Sequence, residues 1–385
     1  MKFLHTGDWH LGRTLYSESL LEDQRHFLKN VSEELKNAQK NAEPYDCLFI
    51  SGDVYDRAIP SVGAVLLFDD FLTALATDFP RLHVFVTAGN HDGAERLSFA
   101  SRFLEKSNIH LCFGTEHLSN AVIVDSCAIY QIPFLMPGSF KDGAEKSQRA
   151  LFERATAEIR EAHQKNFPTL PSVVLAHATV FGENNDEKNQ IGTAESISPS
   201  LFDGFSYVAL GHIHSFKKIT ERMYYSGSPL SYTFDDVSKK VMICGTIKID
   251  NSLSIKTIPI EPLRPVVRLK GAFSDFYNAD ESETKKYEQC LVEIKCTDEQ
   301  VVQMPKALLE TKFPHLLSFS REKATSTKEN SDFVLRRNLI ERRNEASHEE
   351  FFSTFLSELY GNDLNEDDAK AETELFLKFL NENLD

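Results

Sequence analysis

Residues 1–13 read MKFLHTGDWHLGR, a short apolar run that stops at Gly7-Asp8-Trp9-His10. A few apolar residues followed by a glycine, a carboxylate and an imidazole predict a buried strand whose C-terminal end carries chemistry. The pattern recurs along the chain. Residues 47–50 run into Gly52-Asp53-Val54-Tyr55-Asp56, 82–86 into Gly89-Asn90-His91-Asp92, 173–176 into His177, and 207–210 into Gly211-His212-Ile213-His214. Between the early runs, residues 20–39, 62–77 and 96–106 have helical periodicity and enough length to cross back over a sheet. The alternation predicts an α/β fold with its site at the strand ends.

Taken singly, each cluster is an ordinary turn: Gly-Asp and Gly-His pairs arise by chance, and Asn in Gly-Asn-His-Asp suits a left-handed turn. Five clusters, each closing a strand, are another matter. Imidazoles, carboxylates and one amide suit a pair of divalent cations of the manganese or iron type, whereas calcium and magnesium would draw almost wholly on oxygen.

Downstream, residues 240–249 and 253–260 alternate across Asp250-Asn251 as a hairpin, and Pro259, Pro262 and Pro265 mark a boundary. The expected organisation is a first domain over 1–260 and a small α+β domain over 261–343. In the latter, 291–295 and 316–320 read as strands, 301–311 as a helix and 323–332 as a loop. A tail over 344–385 reads as two amphipathic helices, with Phe351, Phe352, Phe355, Leu356 and Leu359 on one face.

A hydrophobic content of 41% against 26% charged residues excludes disorder as the main state, and a net charge of −16 argues against a broad basic surface for nucleic acid. The acidity is uneven. Residues 344–385 hold twelve acids and two lysines, whereas 321–343 hold seven basic residues against four acids, by default a solvated helix-and-loop surface and, in its functional reading, a local contact for a DNA backbone. The six cysteines are scattered without a CxxC pair, and no run of eighteen apolar residues or signal-like start occurs. The expectation is a soluble cytoplasmic protein with reduced thiols and no membrane segment.

The order D-x-H, G-D-x-x-D, G-N-H-D, H, G-H-x-H resembles that of the calcineurin-like metallophosphoesterases over about residues 1–260. HTGDWHLG, ISGDVYDR, TAGNHDG, ALGHIH and YSGSPLSYTFDD are similar to the branch that supplies nuclease subunits to DNA-repair complexes. That resemblance implies a four-layer β-sandwich flanked by helices, a small α+β capping domain, and a helical tail that docks on a coiled-coil ATPase. It implies two divalent metal ions, manganese foremost. Asp8, His10, Asp53 and His214 would hold one, and Asn90, His177, His212 and the bridging Asp53 the other. His91 would be the catalytic non-ligand histidine at the scissile phosphate.

The implied substrates are DNA double-strand ends and hairpins, cut as a double-strand exonuclease and single-strand endonuclease in repair, recombination and replication. The implied assembly is a homodimer, with 20–39 and 62–77 at its interface, inside a heterotetramer. ATP would belong to the partner, since no GxxxxGK[ST] loop occurs here. Ala58 after Asp56-Arg57 departs from the glycine of the serine/threonine phosphatases. Trp9 is expected as a wall of the metal loop and His5 as a core residue. Two alternatives stand beside this: action on a phosphoprotein or small phosphodiester, against which the capping domain and apolar tail speak, and a non-catalytic scaffold, against which the complete ligand set speaks.

Overall fold

The computed structural model describes residues 1–321 apart from 144, 182–195 and 299–301. Except for Arg321, the basic segment and the whole acidic tail lie outside the described residues. Among the described residues, two six-stranded sheets form the body of the fold. In the first, the order across the sheet is Leu253–Pro259, Val241–Ile247, Lys2–Thr6, Cys47–Ile50, His83–Thr87 and Ile109–Cys112. In the second it is Lys217–Thr220, Met223–Tyr225, Tyr207–Gly211, Ser172–His177, Cys127–Ile132 and Val122–Val124. The central strands of each sheet are parallel, so their C-terminal ends gather on one side.

Burial explains the sandwich. Cys47–Ile50 and Ser172–His177 are buried at every residue, because one face of each strand meets the other sheet and the opposite face meets a helix. Phe3 stacks on Phe49 at 5.1 Å and on Tyr207 at 4.5 Å between the sheets, an aromatic contact worth about 0.5–1.5 kcal/mol per pair beyond its buried area. Leu21–Lys40 and Val62–Asp78 cover the outside of the first sheet, and Gln148–Asn166 covers the second. The result is a four-layer helix–sheet–sheet–helix body. Leu21–Lys40 buries Phe27, Leu28, Val31 and Leu35 on one stripe, and Ser61 and Ser147 cap the other two helices by accepting the Ala64 and Ala150 N–H groups.

Val266–Gly271, Leu291–Cys296 and Leu316–Arg321 form a separate parallel sheet with its own apolar core around Val292, Ile294, Leu309 and Phe313. The first of these strands begins right after Pro265, where the prolines predict extended punctuation. The expected hairpin is present as Val241–Ile247 against Leu253–Pro259.

Two expected helices differ. Residues 96–106 are broken into Ala94–Leu97, Ser101–Leu104 and a turn at Glu105–Ser107, with Ala100 in the left-handed region at the break. Phe99 and Phe103 there face solvent, so no continuous apolar stripe holds the segment as one helix. The helix expected over 301–311 is Pro305–Glu310, since proline favours the first helical position and the preceding Met304 is left-handed. No helix among the described residues is long and apolar enough to cross a membrane.

Gly245 pairs with Phe3, and a Cβ there would lie 2.1 Å from the Phe3 ring. Gly245→Ala is expected to cost about 1–3 kcal/mol in urea unfolding. Most of that cost should vanish when the same change is made on Phe3→Leu; equal costs in both backgrounds would show that the ring is not the obstacle.

Candidate metal centre

The five strand ends bring Asp8, His10, Asp53, Asn90, His177, His212 and His214 to one point. Asp8 and His177 are fully buried, and Asp53 almost so. Four of the seven, Asp8, His10, Asp53 and His212, have positive φ, which costs non-glycine residues conformational energy and concentrates at functional sites. Glycines make the close approach possible. A Cβ on Gly52 would lie 2.2 Å from His177 Nδ1, one on Gly89 2.2 Å from Asp53 Oδ1, and one on Gly211 1.8 Å from the Ser51 carbonyl oxygen.

Ring orientation is set from behind. His177 Nδ1 donates to the Ser51 carbonyl at 2.9 Å, which turns its Nε2 into the site, 3.4 Å from Asp53 Oδ2. His91 Nδ1 donates to the Asp56 carbonyl at 2.9 Å, leaving Nε2 toward the mouth, and its backbone N–H donates to Asp53 Oδ1 at 2.9 Å. Asp8 Oδ1 accepts the His212 N–H at 2.8 Å, while Asp8 Oδ2 is buried with no hydrogen-bond partner among the described residues.

The remaining contacts crowd ring nitrogens and an amide oxygen together. His10 Nε2 and His214 Nε2 lie 3.0 Å apart, and Asn90 Oδ1 lies 3.1 Å from His177 Nε2 and 2.9 Å from His212 Nδ1. Ligand atoms of Asp8, His10 and His214, and of Asp8, Asp53 and His177, each fall within 4.8 Å of one another. Crowded acceptors and an orphaned buried carboxylate oxygen are what a cation satisfies, so the donor set fits divalent metal.

Electrostatics agree. Burial lowers His10 to about 2 and His212 and His214 to about 4, so these imidazoles are neutral and offer lone pairs at pH 7. Burial pushes the Asp8 carboxyl up to about 7. At His177 burial is outweighed by the Asp53 and Asp8 charges, which hold the imidazole up to about 9. The carboxylates favour positive charge at His177, while burial resists protonation of the other three imidazoles.

Residues 1–216 match the calcineurin-like phosphoesterase family. The chain belongs to that family. Within it the chain is a relative of SbcD: the SbcD nuclease component of SbcCD from Staphylococcus saprophyticus is 30% identical over 331 residues, covering 84% of this chain and 85% of the relative.

Several residues of this phosphoesterase act on the site although the sequence reading gives them no role there, Asp56 and Asp92 even though the motifs contain them. Asp92 is buried and accepts the N–H groups of Val54, Tyr55 and Gly89, so it ties the loops that carry Asp53 and Asn90 together. The Gly89 N–H lies three residues before it, so that one of the three bonds is local in sequence. Gln24, on the first helix, donates to the Trp9 and His10 carbonyls at 3.2 and 2.7 Å and accepts the Gly12 N–H. Asp56 Oδ1 takes Arg13 at 2.9 Å and lies 3.7 Å from His10 Nδ1, placing a carboxylate behind a metal-facing imidazole.

Trp9 is a wall, fully buried edge-on to Phe27, Phe68 and Phe71. His5 is a core residue between Tyr207 and Ser51, its pKa lowered by burial to about 3.

Asp92→Asn removes an acceptor oxygen and turns an N–H donor toward backbone N–H groups. The expected loss is roughly 1–3 kcal/mol of stability by chemical denaturation. Fewer manganese ions retained per chain after gel filtration should accompany it; full retention would show that the loops hold without this tie.

Proposed function

We propose that this chain is a manganese-dependent DNA nuclease that hydrolyses phosphodiester bonds at double-strand ends and hairpins, together with an SbcC-type coiled-coil ATPase. Asp8, His10, Asp53 and His214 would hold one ion, and Asn90, His177, His212 and the shared Asp53 the other. The observation that carries the reading is the position of His91. Its ring stands edge-on to that of His10 at 4.8 Å, and with Arg13, Thr14, Asp56, Arg57, Ala58 and Asn90 it lines a cleft of about 560 Å³.

A bound metal pair would polarise the phosphoryl oxygens and lower the pKa of a water molecule. The chain's own residues do the rest. Ser51 and Asp56 fix the His177 and His91 rings, so His91 Nε2 points at the space a phosphodiester would enter and can hold a proton for the leaving oxygen. Arg13 and Arg57 flank that space, Arg57 largely exposed, and supply the positive rim that a phosphate backbone requires. The relative's role as a nuclease of SbcCD, and a match spanning most of both chains, support DNA as the substrate and an SbcC-type ATPase as the partner. Exonuclease action on duplex ends, endonuclease action on single strands, a homodimer within a heterotetramer, a cytoplasmic setting, and roles in DNA repair, recombination and replication belong to the same proposal.

The test is cleavage of end-labelled duplex and hairpin DNA by the purified chain with its ATPase partner, in Mn²⁺ or in chelator. Asp53→Ala should abolish cleavage and lower bound manganese. His91→Ala should cut turnover by about 10²-fold or more while both ions stay bound. Cleavage that persists in chelator would sink the proposal, and hydrolysis of a small phosphodiester with intact DNA would replace the substrate.

A further inference from the structure

The segment Ser228–Lys240, SPLSYTFDDVSKK, contributes no ligand, yet it reaches the backbone behind two of them. It starts after Gly227, whose φ of +76° lets the chain run against the His214–Phe216 backbone; a Cβ there would lie 2.9 Å from the His214 carbonyl oxygen. That carbonyl accepts the Ser228 N–H at 3.0 Å and Lys240 Nζ at 3.1 Å. Lys240 is nearly buried, and its other partners, Ser228 Oγ and the Asp236 carboxylate, are both in the same segment, so it closes the segment into a loop. Midway, the buried Tyr232 hydroxyl donates to the Trp9 carbonyl. Its ring stands edge-on to the imidazoles of His10 at 5.5 Å and His214 at 5.9 Å.

These contacts fall where the backbone most needs support. The peptide between Trp9 and His10 lies between two left-handed residues, Asp8 at φ 52° and His10 at φ 45°. A carbonyl in such a stretch gains no partner from regular structure, so its orientation depends on the Tyr232 and Gln24 donors. The far side of the loop meets the small parallel sheet: Leu230 packs with Leu291 and Val266, and Asp235 pairs with Arg268.

We propose that Tyr232 and Lys240 are positioning residues for one ion only, the one held by His10 and His214. Partners that hydrogen-bond a ligand's side chain are worth about 10–100-fold in metal affinity, and a bond to the ligand's own backbone acts to the same end by setting the direction of its lone pair. The other ion is untouched by the loop, because Ser51 and Asp92 brace its ligands. The inference rests on the two-ion reading of the centre.

The test is manganese titration of the full-length chain by calorimetry, with electron paramagnetic resonance to distinguish coupled pairs from single ions, and circular dichroism melting as the folding control. Tyr232→Phe and Lys240→Met should keep one wild-type site and weaken the other about 10-fold or more, so that the coupled-pair signal gives way to a single-ion signal at limiting manganese. Lys240→Arg should restore much of the second site. Wild-type binding at both sites in the variants, or equal weakening at both, overturns the proposal. If Tyr232→Phe does not fold, the contrast between Lys240→Met and Lys240→Arg decides alone. A wild-type chain that binds no ion pair would instead overturn the two-ion reading.

Discussion

The structure depends on a demand for positive charge inside a buried pocket. Two carboxylates and four imidazoles converge there, one carboxylate oxygen has no partner among the described residues, and ring nitrogens and an amide oxygen crowd to about 3 Å. Burying acceptors in this way is costly unless a cation completes them. The surrounding chain is shaped to hold them regardless. Four of the candidate ligands sit at positive φ, three glycines permit contacts that any side chain would block, and Asp92 collects three backbone donors to brace the loops.

That concentration of unfavourable geometry is sustained by the sandwich beneath it. The strands that deliver the candidate ligands are buried on both faces and run parallel, so their ends are carried by the buried core of the sandwich. The helices contribute polar as well as apolar residues. Gln24 shares the first helix with Phe27 and Val31, yet spends its side chain on the Trp9 and His10 carbonyls. Packing a helix and orienting a ligand loop are here functions of the same element.

The ligand-bearing strands are legible in the sequence because the signal is local: a few apolar residues, then a glycine with donor residues beside it. The supports are less legible because they act across long separations. Tyr232 reaches back to Trp9, and Arg264 pairs with Asp23 and Glu18, with nothing in either neighbourhood to announce the partner. A strand such as Cys127–Ile132 lacks a terminal motif and carries no comparable signal. The broken helix after His91 shows the opposite failure. Apolar spacing there suggests a stripe, but Phe99 and Phe103 are exposed and the backbone turns left-handed at Ala100.

Charge ties the site to the composition. A chain of net −16 is a poor general surface for DNA, yet twelve of its acids lie in residues 344–385, and two more, Asp8 and Asp53, point into the centre. Acids of the second kind attract cations and thereby reverse their effect on a phosphate. With the pair loaded, a phosphodiester would meet bound cations and the Arg13–Arg57 rim instead of bare carboxylates. An acidic total is therefore compatible with a nucleic-acid enzyme whose grip is local, provided that the ions are in place before the substrate arrives.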